Sequence, residues 1–260
     1  MFYAVIFFLL FLAAQAMGQV CGTEALNLLL DNSTIYANGV AVKDRLFITS
    51  AANGQEDLAE KLAANPALLN ETDPTNGNNA LLAAIISGHK DSSERLLSSG
   101  INLKHTNKNG QNALHLSAKA GDALLAEKLI AKGLSVSSRD NYGNTPLLYA
   151  AASYNPQTVI ELLRGGANSS ERNNDNLTPL SVATLRGNTA NAAALLDAQA
   201  AADHITPCGT PLGIAIKMKN RVIFNKLLEA GASTSLADMN GDSPLHIAAA
   251  SEDINFAQRL

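Results

Sequence analysis

A single motif returns six times along this chain. "DNYGNTPLLYAAA" begins at Asp140, and close variants appear as "KNGQNALHLSAKAG" from Lys108, "NDNLTPLSVATLRG" from Asn174 and "MNGDSPLHIAAAS" from Met239. The turn position of the motif falls at Gly77, Gly110, Gly143, Asn176, Cys208 and Gly241, so successive gaps are 33, 33, 33, 32 and 33 residues. A fixed period of this size constrains the fold more than any composition can. Each unit is too short to bury an apolar face alone, and stacking on a neighbour is how repeats of this length become stable.

The anatomy of one unit follows from its residue types. Two residues after the turn position stands Asn79, Asn112, Thr145, Thr178, Thr210 or Ser243, each able to accept a hydrogen bond from an orphan amide at a helix N-terminus. Pro follows at 146, 179, 211 and 244, the first helical position, where its fixed φ helps and its missing N–H costs nothing. Leu comes next at 81, 114, 147, 180, 212 and 245, then a small residue three further on, Ala in five units and Ser117 in the second. Gly88, Gly121 and Gly187 end this first helix. A second helix carries the apolar pairs Leu96-Leu97, Leu129-Ile130, Leu162-Leu163, Leu195-Leu196 and Leu227-Leu228, and Gly100, Gly133, Gly166 and Gly231 close it. Gln199 stands at the closing position of the fourth full unit, where the spacing is read as a loop one residue shorter. The chain is 47% hydrophobic but only 5% aromatic, with no Trp, which suits close packing of Ala- and Leu-rich helices. The predicted fold is all-α, a solenoid of helix-turn-helix units.

"DNYGNTPLLYAAA" and the later "LLRGGAN" resemble the ankyrin repeat, whose pattern is D-x-x-G-x-T-P-L-H-x-A followed by L-L-x-x-G-A. The resemblance covers about residues 43–260. It departs from the pattern where only His115 and His246 keep the motif His, and where Cys208 and Asn176 stand for the turn Gly. Residues 43–72 read as a degenerate N-terminal cap, 73–237 as about five full repeats, and 238–260 as a truncated last repeat. The truncation favours a fragment of a longer chain. Residues 19–42 have a short helical pattern and no readable role.

The N-terminus is of another kind. Phe2 to Val20 carries no charge, and its apolar run is about a dozen residues, short of the ~20 a spanning helix needs. Small residues at Ala14, Ala16 and Gly18 suit a signal peptidase, so 1–18 reads as a secretory signal peptide, with an uncleaved anchor as the rival. Export makes four sequons relevant, at Asn32, Asn70, Asn168 and Asn176, and makes Cys21 and Cys208 candidates for a disulfide. About four units separate these cysteines, roughly 40 Å at helix-packing spacing, which the intervening arm spans only if largely extended.

Catalytic chemistry finds no foothold. No His pairs with another His, a Cys or a carboxylate pair at metal-ligand spacing, and there is no G-x-S-x-G or phosphate loop. No enzyme activity and no cofactor is expected. His115 and His246 read as ties between one turn and the next. A net charge of −4 with no basic run argues against nucleic acid.

Two function classes remain. The resemblance implies an exported module that binds a protein through the concave face of its array, by turn tips and first helices. The alternative is an N-terminal interaction segment of a larger exported effector, toxin or receptor. The residues just before each unit's first position are read as Thr106, Arg139, Arg172, His204 and Ala237. Stacking puts Arg139, Arg172 and His204 in one column, with Lys119, Arg186 and Lys217 from successive first helices on the same side. Lys108 joins them from a tip, and Tyr142 and Met239 are expected as apolar anchors on neighbouring tips. Such a lane fits an acidic protein partner.

Overall fold

The computed structural model describes residues 48–54, 69–251 and 253–260, together with the backbone of 36–37 and 40–41. A two-residue antiparallel ladder pairs β1 (Tyr36–Ala37) with β2 (Val40–Ala41). A short helix, α1, covers 48–52. Six helix pairs follow: α2 (Ala80–Ile86) with α3 (Lys90–Ser98), α4 (Ala113–Ala120) with α5 (Ala123–Ala131), α6 (Pro146–Ala152) with α7 (Pro156–Arg164), α8 (Pro179–Leu185) with α9 (Thr189–Asp197), α10 (Pro211–Lys217) with α11 (Arg221–Glu229), and α12 (Pro244–Ala250) with α13 (Ile254–Arg259). First helices stack on first helices and second on second, so the core is one continuous Ala- and Leu-rich seam. We number these pairs as units one to six, each beginning in the extended segment before its tip.

The helices start where the capping residues predict. Asn79, Asn112, Thr178, Thr210 and Ser243 are N-caps whose side chains accept from amides in the first turn. Thr145 caps α6 by position but not by side chain, because the Leu148 amide bonds the Thr145 carbonyl instead, at 3.0 Å, and Oγ1 is left buried without a partner. The motif leucines 81, 114, 147, 180 and 212 are 0–1% exposed, whereas Leu245, on the last pair, is 50% exposed. α1 belongs to the same stack: a Cβ on Gly54 would lie 2.5 Å from Nδ1 of His89, the counterpart of Gly121 lying under Asn155.

Asparagine turns out to be the stitching. The Lys108 amide donates to the Asn76 carbonyl, Asn141 to Asn109 and Asn174 to Tyr142, each at 3.0 Å, so four successive tips form a backbone ladder. Side-chain amides double it: Asn141 Nδ2 donates to the Lys108 carbonyl, Asn174 Nδ2 to that of Asn141, and Asn173 Nδ2 to Asn144 Oδ1. The next rung falls on Pro207, which has no amide hydrogen, and the ladder stops there.

The fifth tip also corrects the sequence reading. Gly143, Asn176 and Gly241 close their tips by donating to Asp140, Asn173 and Asp238, and Gly209 does so to Thr206. The missing residue therefore lies in the tip, between Thr206 and Thr210, and not in the loop after Gln199. Gly209, with φ 116°, is the turn residue in place of Cys208. Ile205, and not His204, stands just before the first position of this unit. Asn176, Gln199 and Lys219 take the left-handed conformation where other units use glycine, with φ of 58°, 59° and 53°.

Candidate partner-binding face

The six first helices share one chemical property. ALLAAII, ALHLSAKA, PLLYAAA, PLSVATL, PLGIAIK and PLHIAAA contain no carboxylate, and their charges are Lys119 and Lys217, with Arg186 at the C-cap of α8. Acidic side chains are carried instead by tips, loops and second helices, where Glu94 meets Lys128 and Glu161 meets Arg164.

Each basic residue singled out from the sequence has a distinct place. Lys119 and Arg186 are exposed, and their side chains have no hydrogen bond or ion pair among the described residues. Arg139 is exposed but engaged by its own chain: its guanidinium donates to the carbonyls of Gly143 at 3.0 Å and Arg172 at 2.7 Å, and pairs with Glu171 at 3.1 Å. Arg172 is exposed and reaches Asn176 Oδ1 at 3.3 Å. Lys108 donates to the Pro74 carbonyl. Lys217 donates to Asp238, whose side chain is 2% exposed, at 3.2 Å, and to the Cys208 carbonyl at 3.4 Å. His204 is half-buried, with Nε2 3.1 Å from the carbonyl oxygen of Asn176, and one position off the Arg139–Arg172 column. His105 makes the equivalent contact with Gly77 three units earlier in the stack of tips. Tyr142 and Met239 are 60% and 71% exposed. They do not sit on neighbouring tips, because the tips at 173–176 and 206–209 lie between theirs.

The floor beside these residues is a buried polar network. Gln111 Nε2 donates to the Tyr149 hydroxyl at 2.6 Å, which donates to Asp140 Oδ2 at 2.7 Å, and Asp140 also accepts from the amides of Tyr142 and Asn144. Burial, reinforced by the Asp140 carboxylate, pushes the Tyr149 hydroxyl up to about 12. His115 is buried, bonds Asn112 through Nδ1, and lies 3.1 and 3.2 Å from the carbonyls of Ser138 and Asn144 through Nε2. Burial lowers its pKa, partly offset by those carbonyls. His246 makes only the local contact with Ser243 and is exposed. At Asp238, burial raises the carboxyl, but the amides of Asn240 and Asp242 and the Lys217 ammonium together hold it below the usual range.

Sequence reasoning missed the amides that cross between units at the helix ends. The first helix of the third unit lacks a closing glycine; Tyr154, 86% exposed, occupies that position. Asn188 and Asn191 of the next unit compensate. Asn188 Nδ2 donates to the carbonyls of Ala151 and Ser153, and Asn191 Nδ2 to those of Ala150, Ala151 and Ser153. The missing glycine at 154 was the available signal.

Of the remaining candidates, Asn70 and Asn168 are exposed, while Asn176 is half-buried with its amide donating to the Ile205 carbonyl. Asn32 and Cys21 lie outside the described residues, as does the segment 1–18. Cys208 is an exposed free thiol. Among the described residues, no group of three His, Cys, Asp or Glu is placed to hold a metal ion, and no helix is long and apolar enough to cross a membrane.

Fold and surface together define a helical solenoid whose chemical variety is concentrated on tips and first helices. The family model for ankyrin repeats (3 copies) matches residues 46–140 and again 118–205, more than half of the chain, which therefore belongs to the ankyrin repeat family. Residues 206–260 lie beyond that match, although Thr210-Pro211-Leu212 and Ser243-Pro244-Leu245 carry the same motif. Comparison with curated proteins returns no match. Ankyrin repeats generally mediate protein–protein interaction and typically serve as non-enzymatic scaffolds.

Proposed function

We propose that this chain is an exported binding module that takes an acidic protein partner on the face of its tips and first helices. The observation that carries this reading is the absence of any carboxylate from the six first helices, beside the unpaired cations Lys119 and Arg186. Cations on first helices that carry no carboxylate steer and orient an acidic partner, with the acidic groups of this face kept to the tips, as at Asp175 and Asp242. Arg172 extends the lane toward the tips, and Tyr142 adds an exposed aromatic anchor of the kind that dominates interface energetics. Arg139 and Lys217 are exposed on the same side, but their charges are already met by Glu171 and Asp238.

Export rests on the uncharged apolar segment before Val20. N-terminal sequencing of the chain recovered from a secreting host tests it: a mature product beginning near residue 19 supports export, and an unprocessed, membrane-retained chain opposes it. Binding is tested by capture on the chain from residue 19 onward, with Lys119→Glu/Arg186→Glu beside it. An acidic partner held by the parent and lost from the charge-reversed variant, with unchanged circular dichroism, supports the lane. Equal retention by both removes it.

A further inference from the structure

We infer that the array is built to open at one seam, between the fourth and fifth units, so that units five and six unfold together as a block. Three independent observations converge on that seam.

The first is the set of polar contacts across each junction. Units two and three are joined by the tip ladder, the His115 contacts, the Gln111–Tyr149 bond and Asn155 Nδ2 on the Gly121 carbonyl. Units three and four are joined by the ladder, Arg139 with Glu171, and the Asn188 and Asn191 amides. Units four and five share a smaller set: His204 contacts Asn176, Asn176 Nδ2 donates to the Ile205 carbonyl, and the Ser233 amide donates to Asp203 where their closing loops meet. Pro207 removes the ladder donor there, and Asn220, unlike Asn155 with Gly121, makes no hydrogen bond to the Gly187 carbonyl among the described residues.

The second is strain. All three non-glycine residues with positive φ among the described residues, Asn176, Gln199 and Lys219, lie in units four and five. Left-handed backbone disfavours Gln199 and Lys219 while Asn tolerates it, and unfolding of the block releases the penalty at Lys219.

The third is that the next junction is firm. Lys217 pairs with Asp238, Arg221 with Asp253 at 2.9 Å, and the rings of Phe224 and Phe256 meet edge to face at 4.9 Å. In a one-dimensional array, opening begins where the nearest-neighbour coupling is weakest. Opening at this seam uncovers the apolar face of α8–α9, and because the next junction is firm the last two units unfold together.

Native-state hydrogen exchange on the full chain, read by peptide across the array, tests the inference. The expected result is a step in protection between α9 and α10, with α10 to α13 exchanging through a common opening. Replacing Gln199 and Lys219 together by Gly should slow exchange in that block about tenfold, from relief of left-handed strain, and leave α4 to α7 unchanged. A smooth gradient toward the C-terminus, or a step confined to α12 and α13, overturns the seam. So does a double-glycine variant that slows neither block or slows both equally.

Discussion

The tips of the second to fourth units and the tip of the fifth are built from the same motif, yet they do opposite things. At 107–110, 140–143 and 173–176 an amide and an asparagine side chain connect each tip to its neighbour. At 206–209 the tip is one residue shorter, the connecting position is Pro207, and the asparagines are gone. The apolar core runs unbroken beneath both, with Leu180 and Leu212 equally buried. Burial and stitching are therefore separable in this fold. The Leu and Ala positions decide that units stack, and the tip residues decide how tightly one unit is registered on the next.

The comparison can be broken at several points. The largest effect is expected in the core shared by both regions: Leu147→Ala or Leu180→Ala should each cost about 2–5 kcal/mol. Leu245→Ala, half-exposed at the last pair, should cost far less, and denaturant titrations showing equal losses would put the stacking face elsewhere. Next comes the contrast between Asn191 and Asn220. Asn191→Ala strips three buried carbonyls of a donor and should cost about 1–3 kcal/mol, spread over the third and fourth units. Asn220→Ala removes only an N-cap, about 1 kcal/mol, confined to the fifth unit. Exchange protection that falls in the same units for both variants would erase the distinction between the seams.

A tip substitution sharpens it further. Asn144 lies on a turn, where a residue without partners would matter little. In the structure it accepts from Asn173 and donates to Asp140, so Asn144→Ala should cost about 1 kcal/mol, measurable as a lower denaturation midpoint. The smallest effect is the contribution of His115 to pH dependence. Its folded pKa is lowered, so the unfolded chain binds the proton more readily. The stability contributed by His115 is complete above the unfolded value of about 6.5 and declines as pH falls from there toward the folded value. A His115→Gln variant should show a flatter stability profile over that window, and an unchanged slope would mean that the ring is not the titrating group.

Much of this was legible in the sequence because the relevant physics is local. Capping residues, Pro at the first helical position and a Leu with a small partner one turn on identify each first helix, and they sit where those signals put them. The position of the missing residue was not legible. Cys208, Gly209 and Thr210 count equally well from either side, and only the hydrogen bond from Gly209 to Thr206 decides it. That slip moved His204 into a column that Ile205 occupies. The basic lane was legible as residue types but not as free charge, since the partners of Arg139 and Lys217 come from the following unit. Asparagine-rich tips read as solvated surface, because composition cannot say that a side-chain amide faces the next tip.

The Asn188–Asn191 pair has a consequence for how the chain comes into being. The last carbonyls of α6 are met by amides that lie 35 to 41 residues further along. A chain made from its N-terminus holds α6 as a helix with a ragged end until α9 has emerged and docked. The third unit is thus completed by its successor, and the order of synthesis becomes the order in which the units close.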